Sequence, residues 1–152
     1  MADLMSNDMF LAFSKYATIV VLKMMFMAPL TGYFRITRKG AQNWHFVQAF
    51  SNSEDRKKML QTNPDVERVR RCHQNDLENI ISFVVIGLLY AFTGPDLSTA
   101  LLHFQVFVGS RFIHTVSYLL ALPQPSRGLS WVVGIITTFS MAYRVLTTAL
   151  FL

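Results

Sequence analysis

The chain has 152 residues, 52% hydrophobic and only 15% charged, against roughly 25% charged in soluble domains, which excludes an ordinary soluble domain and leaves room for about four spans of ~20 residues. Its net charge of +5 is confined to residues 35–72, which hold nine Lys/Arg and four Asp/Glu; a basic loop between membrane spans explains that excess, and a nucleic-acid partner is not expected. The single cysteine, Cys72, excludes an internal disulfide framework and a paired-cysteine metal site.

In chain order, Met1-Ala2-Asp3 lacks a basic leader, and no small-residue cleavage site ends the first apolar run. A retained span is therefore expected in place of a cleaved signal peptide. Span 1 is predicted over about 9–34, with Lys15 near its start and Lys23 deeper. Gly32 and the cluster Arg35, Arg38, Lys39 close it. Residues 40–61 have no clear period and read as one long loop, with Trp44, Phe46 and Phe50 placed at the lipid headgroups.

Helix 2 has a clear start: Thr62 or Asn63 as N-cap, Pro64 in the first turn, and Asp65 and Glu67 near the positive helix end. Its pattern runs to Phe92, where Thr93-Gly94-Pro95 stops it. The purely apolar part, Ile80 to Phe92, is too short to span alone, so polar turns extend it and the span is put at 73–92. Asp96 is expected to cap span 3, at 97–122. Pro123-Gln124-Pro125 ends that span, and Ser126 is expected to cap span 4, at 127–149.

Short links make these neighbours antiparallel. The reading is a single domain over 1–152: an all-α, integral membrane four-helix bundle with up-down topology and a cytosolic loop at 35–72. Basic residues follow spans 1 and 3 but not span 2, which puts those loops in the cytosol and both termini opposite.

Five ionisable groups interrupt or border the apolar runs: Lys23, Glu78, Arg111, His114 and Arg144. A charge at mid-bilayer costs about 2.5–3.5 kcal/mol, so each needs a partner, a polar cavity or a ligand. Arg71, Asn75 and Glu78 fall on one face of helix 2, flanked by Arg70 and His73; Arg111, His114 and Tyr118 stack likewise on span 3. Arg127 lies in the first turn of span 4, where its charge adds to the positive helix end. Several cations, a carboxylate, an amide and a phenol near the cytosolic side suit a ligand with two carboxylates and one ammonium group. Asp76 lies about 200° around the helix from Glu78, so a structural Lys23–Asp76 pair is expected away from that face. Cys72 lacks the context of a catalytic nucleophile, and no cluster has metal-ligand spacing.

VERVRRCHQNDLENI (Val66 to Ile80) resembles the signature of the MAPEG family of membrane glutathione enzymes. GLLYAFTGPD (Gly87 to Asp96), FVGSRFIHTVSYL (Phe107 to Leu119), LPQPSR (Leu122 to Arg127) and ATIVVLKMMFM in span 1 follow at the family's spacing. The resemblance implies a homotrimer with glutathione bound between neighbours at the cytosolic side. It implies glutathione contacts at Arg35, Arg70, Arg71, His73, Asn75, Glu78, Arg111, His114 and Tyr118, and a catalytic Arg127 that holds the thiolate. Glutathione is then a co-substrate, no metal is needed, and the other partners are lipophilic electrophiles and membrane lipid.

The implied activity is glutathione transfer to lipophilic electrophiles, a detoxification role, with lipid peroxide reduction as a second activity. The implied place is the endoplasmic reticulum membrane, with the mitochondrial outer membrane as a second location. A glutathione-dependent eicosanoid synthase resembling prostaglandin E synthase and a non-catalytic lipid-binding adaptor are the alternatives. The family's loop reads like Phe-Ala-Asn-Pro-Glu-Asp-Cys where this chain has Ala41, Gln42, Asn43, Trp44, His45, Phe46 and Val47. The cysteine through which thiol reagents activate family members is thus replaced by Val47. The aspartate of the prostaglandin branch is replaced by Phe46, and Gly128 and Trp131 stand where that branch has serine and tyrosine. These departures favour the transferase.

Overall fold

The computed structural model describes residues 7–38 and 63–151, which form four helices. They are α1, Asp8–Thr37; α2, Pro64–Phe92; α3, Leu97–Leu119; and α4, Ser126–Leu150. The all-α class is as expected. α1, α2 and α4 are long and apolar enough to cross a membrane. α3 is not among them, because His103, Gln105, Arg111 and His114 dilute its 23 residues. Arg111 and His114 are both buried, so α3 turns these two groups into the protein.

Local chemistry sets most helix ends. The Asn63 side-chain oxygen accepts from the Asp65 amide at 2.9 Å, and its Nδ2 donates to the Arg38 carbonyl at 3.1 Å. One residue thereby caps α2 and ties it to the end of α1. Gly94, at φ +61°, turns the chain after α2, a conformation glycine adopts without steric penalty. Asp96 then accepts from the Thr99 amide at 3.1 Å to cap α3. Hydrogen bonds from the Ser98 hydroxyl and the Thr99 amide hold the Asp96 carboxyl below its usual pKa.

Three boundaries differ from expectation. α1 runs through Gly32 to Thr37, so Arg35 lies in its last turn, where a cation is favoured by the negative helix end. α3 stops at Leu119 and not near Leu122. Pro123 disfavours a helical Leu122, and the chain turns sooner, with Ala121 at φ 53° and the Leu122 amide bonded to the Ser117 carbonyl at 2.9 Å. Ser126 does not cap α4: its hydroxyl donates to the Pro123 carbonyl at 2.8 Å, and Pro125 occupies the cap without a side-chain bond.

α2 and α3 form the centre, in contact with each other and each with both α1 and α4; α1 and α4 do not touch among the described residues. Phe83 and Phe107 stack across the α2–α3 contact at 3.9 Å, with Phe13 of α1 and Phe104 packed beside them. Such aromatic contacts contribute about 0.5–1.5 kcal/mol each beyond the area they bury. A Cβ at Gly134 would sit 3.0 Å from the Ser110 hydroxyl and 3.8 Å from the Arg111 Nε, so this glycine lets α4 approach α3 closely. Phe26, Ile36, Phe139 and Leu146 are exposed on the outside, as a lipid-facing surface requires.

Candidate active site

The first two turns of α2, the last turn of α3 and the first turn of α4 meet around a cavity of about 290 Å³. Glu67, Arg68, Arg71, Tyr118 and Arg127 line it, with Pro64 at its edge. Tyr118 is positioned by its neighbour one turn back, His114, whose ring centroid lies 4.8 Å away. The Arg127 guanidinium sits over the Tyr118 ring at 5.1 Å, a cation–π contact that orients it while leaving its charge unneutralised. Its Nε is buried and has no hydrogen-bond partner among the described residues.

The other arginines of the cleft are paired. Arg68 donates to Asp65 at 2.7 Å, and Arg70 and Arg71 each reach Glu67 at 2.8 Å. Arg127 has no such carboxylate among the described residues, and the α4 N-terminus beside it carries no capping side chain. A cation, a phenol and a positive helix end share one small cavity. That arrangement attracts an anion.

A second polar group lies deeper. Lys23 of α1 meets Asp76 of α2 at 2.5 Å, as the helical angle predicts, and both side chains are buried. Arg111, fully buried, lies 3.9 Å from Asp76 and donates to the Asn75 side-chain oxygen at 2.9 Å. Arg111 Nε and Nη2 and His114 Nδ1 are also buried without a partner among the described residues. Asn75 and Arg111 are thus brought together, next to the structural ion pair.

The remaining predicted residues are more dispersed. Glu78, Arg70 and Arg35 are exposed on the single chain, and His73 is half-buried with an unpartnered Nδ1. Glu67, which the sequence motifs do not assign to the site, lines the cavity and bridges two arginines. Its signal was the spacing of Glu67 to Arg70 and Arg71, at i+3 and i+4. Glu78 is consequently not the sole carboxylate on that side of α2.

Cys72 is fully buried, with its sulfur 3.8 Å from the Thr115 hydroxyl and 4.0 Å from Asp76. N-ethylmaleimide should therefore leave activity unchanged, or lower it slowly as Cys72 becomes labelled. Adduct counting by mass spectrometry alongside the assay checks this; a several-fold stimulation would make Cys72 an activating switch and overturn it. Val47 and the whole of 41–47 lie outside the described residues.

Residues 13–147 match the MAPEG family. The chain is 54% identical over 152 residues to microsomal glutathione S-transferase 1 of Sus scrofa, covering 100% of this chain and 98% of that protein. It is 53% identical to the Homo sapiens protein of the same name, with the same coverage. Prostaglandin E synthase of Bos taurus is more distant, 35% identical over 97% of this chain and 94% of its own length. Family match and full-length identity agree with the motifs that surround the cleft: the chain belongs to the MAPEG family.

Proposed function

We propose that the protein is a membrane-bound glutathione transferase that conjugates glutathione to lipophilic electrophiles, with glutathione-dependent reduction of lipid peroxides as a second activity. The observation that carries this reading is Arg127: a guanidinium without a carboxylate partner among the described residues, held over Tyr118 at the uncapped start of α4. A free thiol of pKa near 8.5 is only a few per cent ionised at neutral pH. A cation in a partly dehydrated cleft favours the thiolate, and each unit by which the pKa falls corresponds to about 1.4 kcal/mol. The thiolate sulfur then attacks the electrophilic carbon; a carbon–sulfur bond forms while the leaving group departs with its electron pair.

Glu78 receives the glutathione ammonium in this proposal, and the arginines of α2 receive its carboxylates. Arg35, Arg70 and Glu78 lie on the outer surface of the chain, so a homotrimer with up-down four-span subunits would place them between neighbours. That would also give the exposed Glu78 the polar surroundings that an intramembrane carboxylate requires. The proposed location is the endoplasmic reticulum membrane, and secondly the mitochondrial outer membrane, with the cleft facing the cytosol.

Equilibrium dialysis of the detergent-purified protein with glutathione is the direct test. Glu78→Gln should weaken binding by roughly 1.5–3 kcal/mol, the range for a hydrogen bond to a charged group. Full affinity in Glu78→Gln would remove Glu78 from the site, and no affinity in the wild type would remove the transferase reading itself.

A further inference from the structure

The contact between α3 and α4 is fixed at three levels. At one end the His103 ring bonds the Thr99 carbonyl at 2.7 Å and, across the contact, the Ser140 hydroxyl at 3.0 Å. In the middle, Gly134 of α4 lies against Ser110 of α3, and both are buried. At the other end the Arg127 guanidinium lies over the Tyr118 ring at 5.1 Å. From Arg127 to Gly134 is two turns, about 10 Å along α4, and the two residues fall on one face to within about 20°. From Ser110 to Tyr118 is about 12 Å along α3, so the middle contact lies directly behind the one that holds Arg127.

The middle contact has no slack. A Cβ at Gly134 would lie 3.0 Å from the Ser110 Oγ and 3.7 Å from the Phe107 Cε2. Ser110 cannot swing aside without loss, because its hydroxyl donates to the Phe107 carbonyl at 2.7 Å. The Phe107 ring is itself stacked on Phe83 at 3.9 Å. Room for a side chain at 134 would therefore come from α4 moving off α3. The His103–Ser140 bond restrains one end of that motion, whereas a cation–π contact, with no donor–acceptor pair, restrains the other. The displacement falls on Arg127.

We infer that Gly134 is a positioning residue for the thiolate: by bearing no side chain against Ser110, it sets the α3–α4 spacing at which Arg127 lies over Tyr118 and faces the sulfur. Gly134 acts through Arg127 and touches neither substrate. The inference rests on the transferase reading above. Preorganised charge is sensitive to such shifts, since a misplacement of about 1 Å can cost about 10²-fold in rate.

The test compares wild type with Gly134→Ala, Gly109→Ala and the double variant Ser110→Gly/Gly134→Ala, all in detergent and checked for oligomeric size. Bound glutathione is titrated by thiolate absorbance, its affinity is measured by equilibrium dialysis, and turnover is followed with chlorodinitrobenzene. Gly134→Ala should raise the thiolate midpoint by about one pH unit, which leaves about a tenth of the thiolate at a pH below both midpoints. Turnover at neutral pH should fall in proportion and return as the pH passes the shifted midpoint, which a general loss of structure would not allow. Glutathione affinity should stay within a few-fold. Gly109→Ala makes the same exchange on α3 where a Cβ meets nothing within 4 Å, and it should titrate as wild type. The double variant transfers the missing side chain from α4 to α3 and should bring the midpoint back toward the wild-type value.

An unchanged midpoint in Gly134→Ala, an equal shift in Gly109→Ala, or no recovery in the double variant overturns the inference. A changed oligomeric size in Gly134→Ala also overturns it, because the added methyl would then act at a subunit boundary. If Gly134→Ala does not fold, Ser110→Cys decides: its larger sulfur presses on the same glycine from α3 and should raise the midpoint by less, and an unchanged midpoint overturns the inference. A wild type without thiolate absorbance at any pH overturns the transferase reading itself, and this inference with it.

Discussion

Arg127→Gln is expected to abolish the ultraviolet absorbance of bound glutathione thiolate and to lower turnover about 10²-fold or more, while glutathione affinity stays within a few-fold. The magnitude is that of removing one preorganised group that stabilises developing or stored negative charge. Affinity survives because glutathione with a neutral thiol is held mainly through its carboxylates and ammonium, by groups other than Arg127. Ionisation does not survive, because Arg68 and Arg71 are turned toward Asp65 and Glu67, while Arg127 is the guanidinium held over Tyr118.

Arg127→Lys should recover part of the loss, since the charge remains while the planar fork that lies over Tyr118 does not. The measurement is a pH titration of thiolate absorbance in wild type and both variants. A thiolate pKa unchanged in Arg127→Gln would exclude this residue and transfer the role to Arg71 or Tyr118, which line the same cavity.

Much of the framework was legible because it depends on short-range chemistry. Asn63-Pro64, Thr93-Gly94-Pro95 and Asp96 each act within one turn of where they stand, and each sets a helix end as read. The Lys23–Asp76 pair was readable because Asp76 stands about 200° around α2 from Glu78 and Lys23, deep in an apolar run, needs a countercharge. What remained hidden depends on competition between helices. The stripe of Arg111, His114 and Tyr118 fixed a common face but not its depth. Arg111 is fully buried with Asn75, while Tyr118 is half-buried at the cleft. Ser126 looked like a cap, but its hydroxyl found the Pro123 carbonyl first. Glu67 looked like a residue placed for the helix dipole, and its i+3 and i+4 arginines give it a place in the cleft wall.

Asp76→Asn should be the most destabilising single change at the polar core, costing about 3–5 kcal/mol, the range for stranding buried charge by removing one partner. Asp76 is the only carboxylate among the described residues that pairs with Lys23 or Arg111, at 2.5 and 3.9 Å, and it joins α1, α2 and α3 through them. Asparagine keeps the shape but leaves two buried cations near each other with no countercharge. Lys23→Met should cost less, because Asp76 retains Arg111 and a methionine fills the space of the lysine stem. The double variant Lys23→Met/Asp76→Asn should recover part of the loss, since removing both members of a buried pair is milder than removing one. Thermal unfolding in detergent, followed by circular dichroism, ranks the three. Glutathione affinity at a temperature where Asp76→Asn remains folded should stay within a few-fold of wild type, because Asp76 faces α1 and not the exposed side that carries Glu78. Wild-type stability in Asp76→Asn, or a larger loss in Lys23→Met, would show that the cations are not held by this carboxylate. Raising salt should not change the ranking, because a pair with side-chain exposures of 7% and 0% is out of reach of mobile ions.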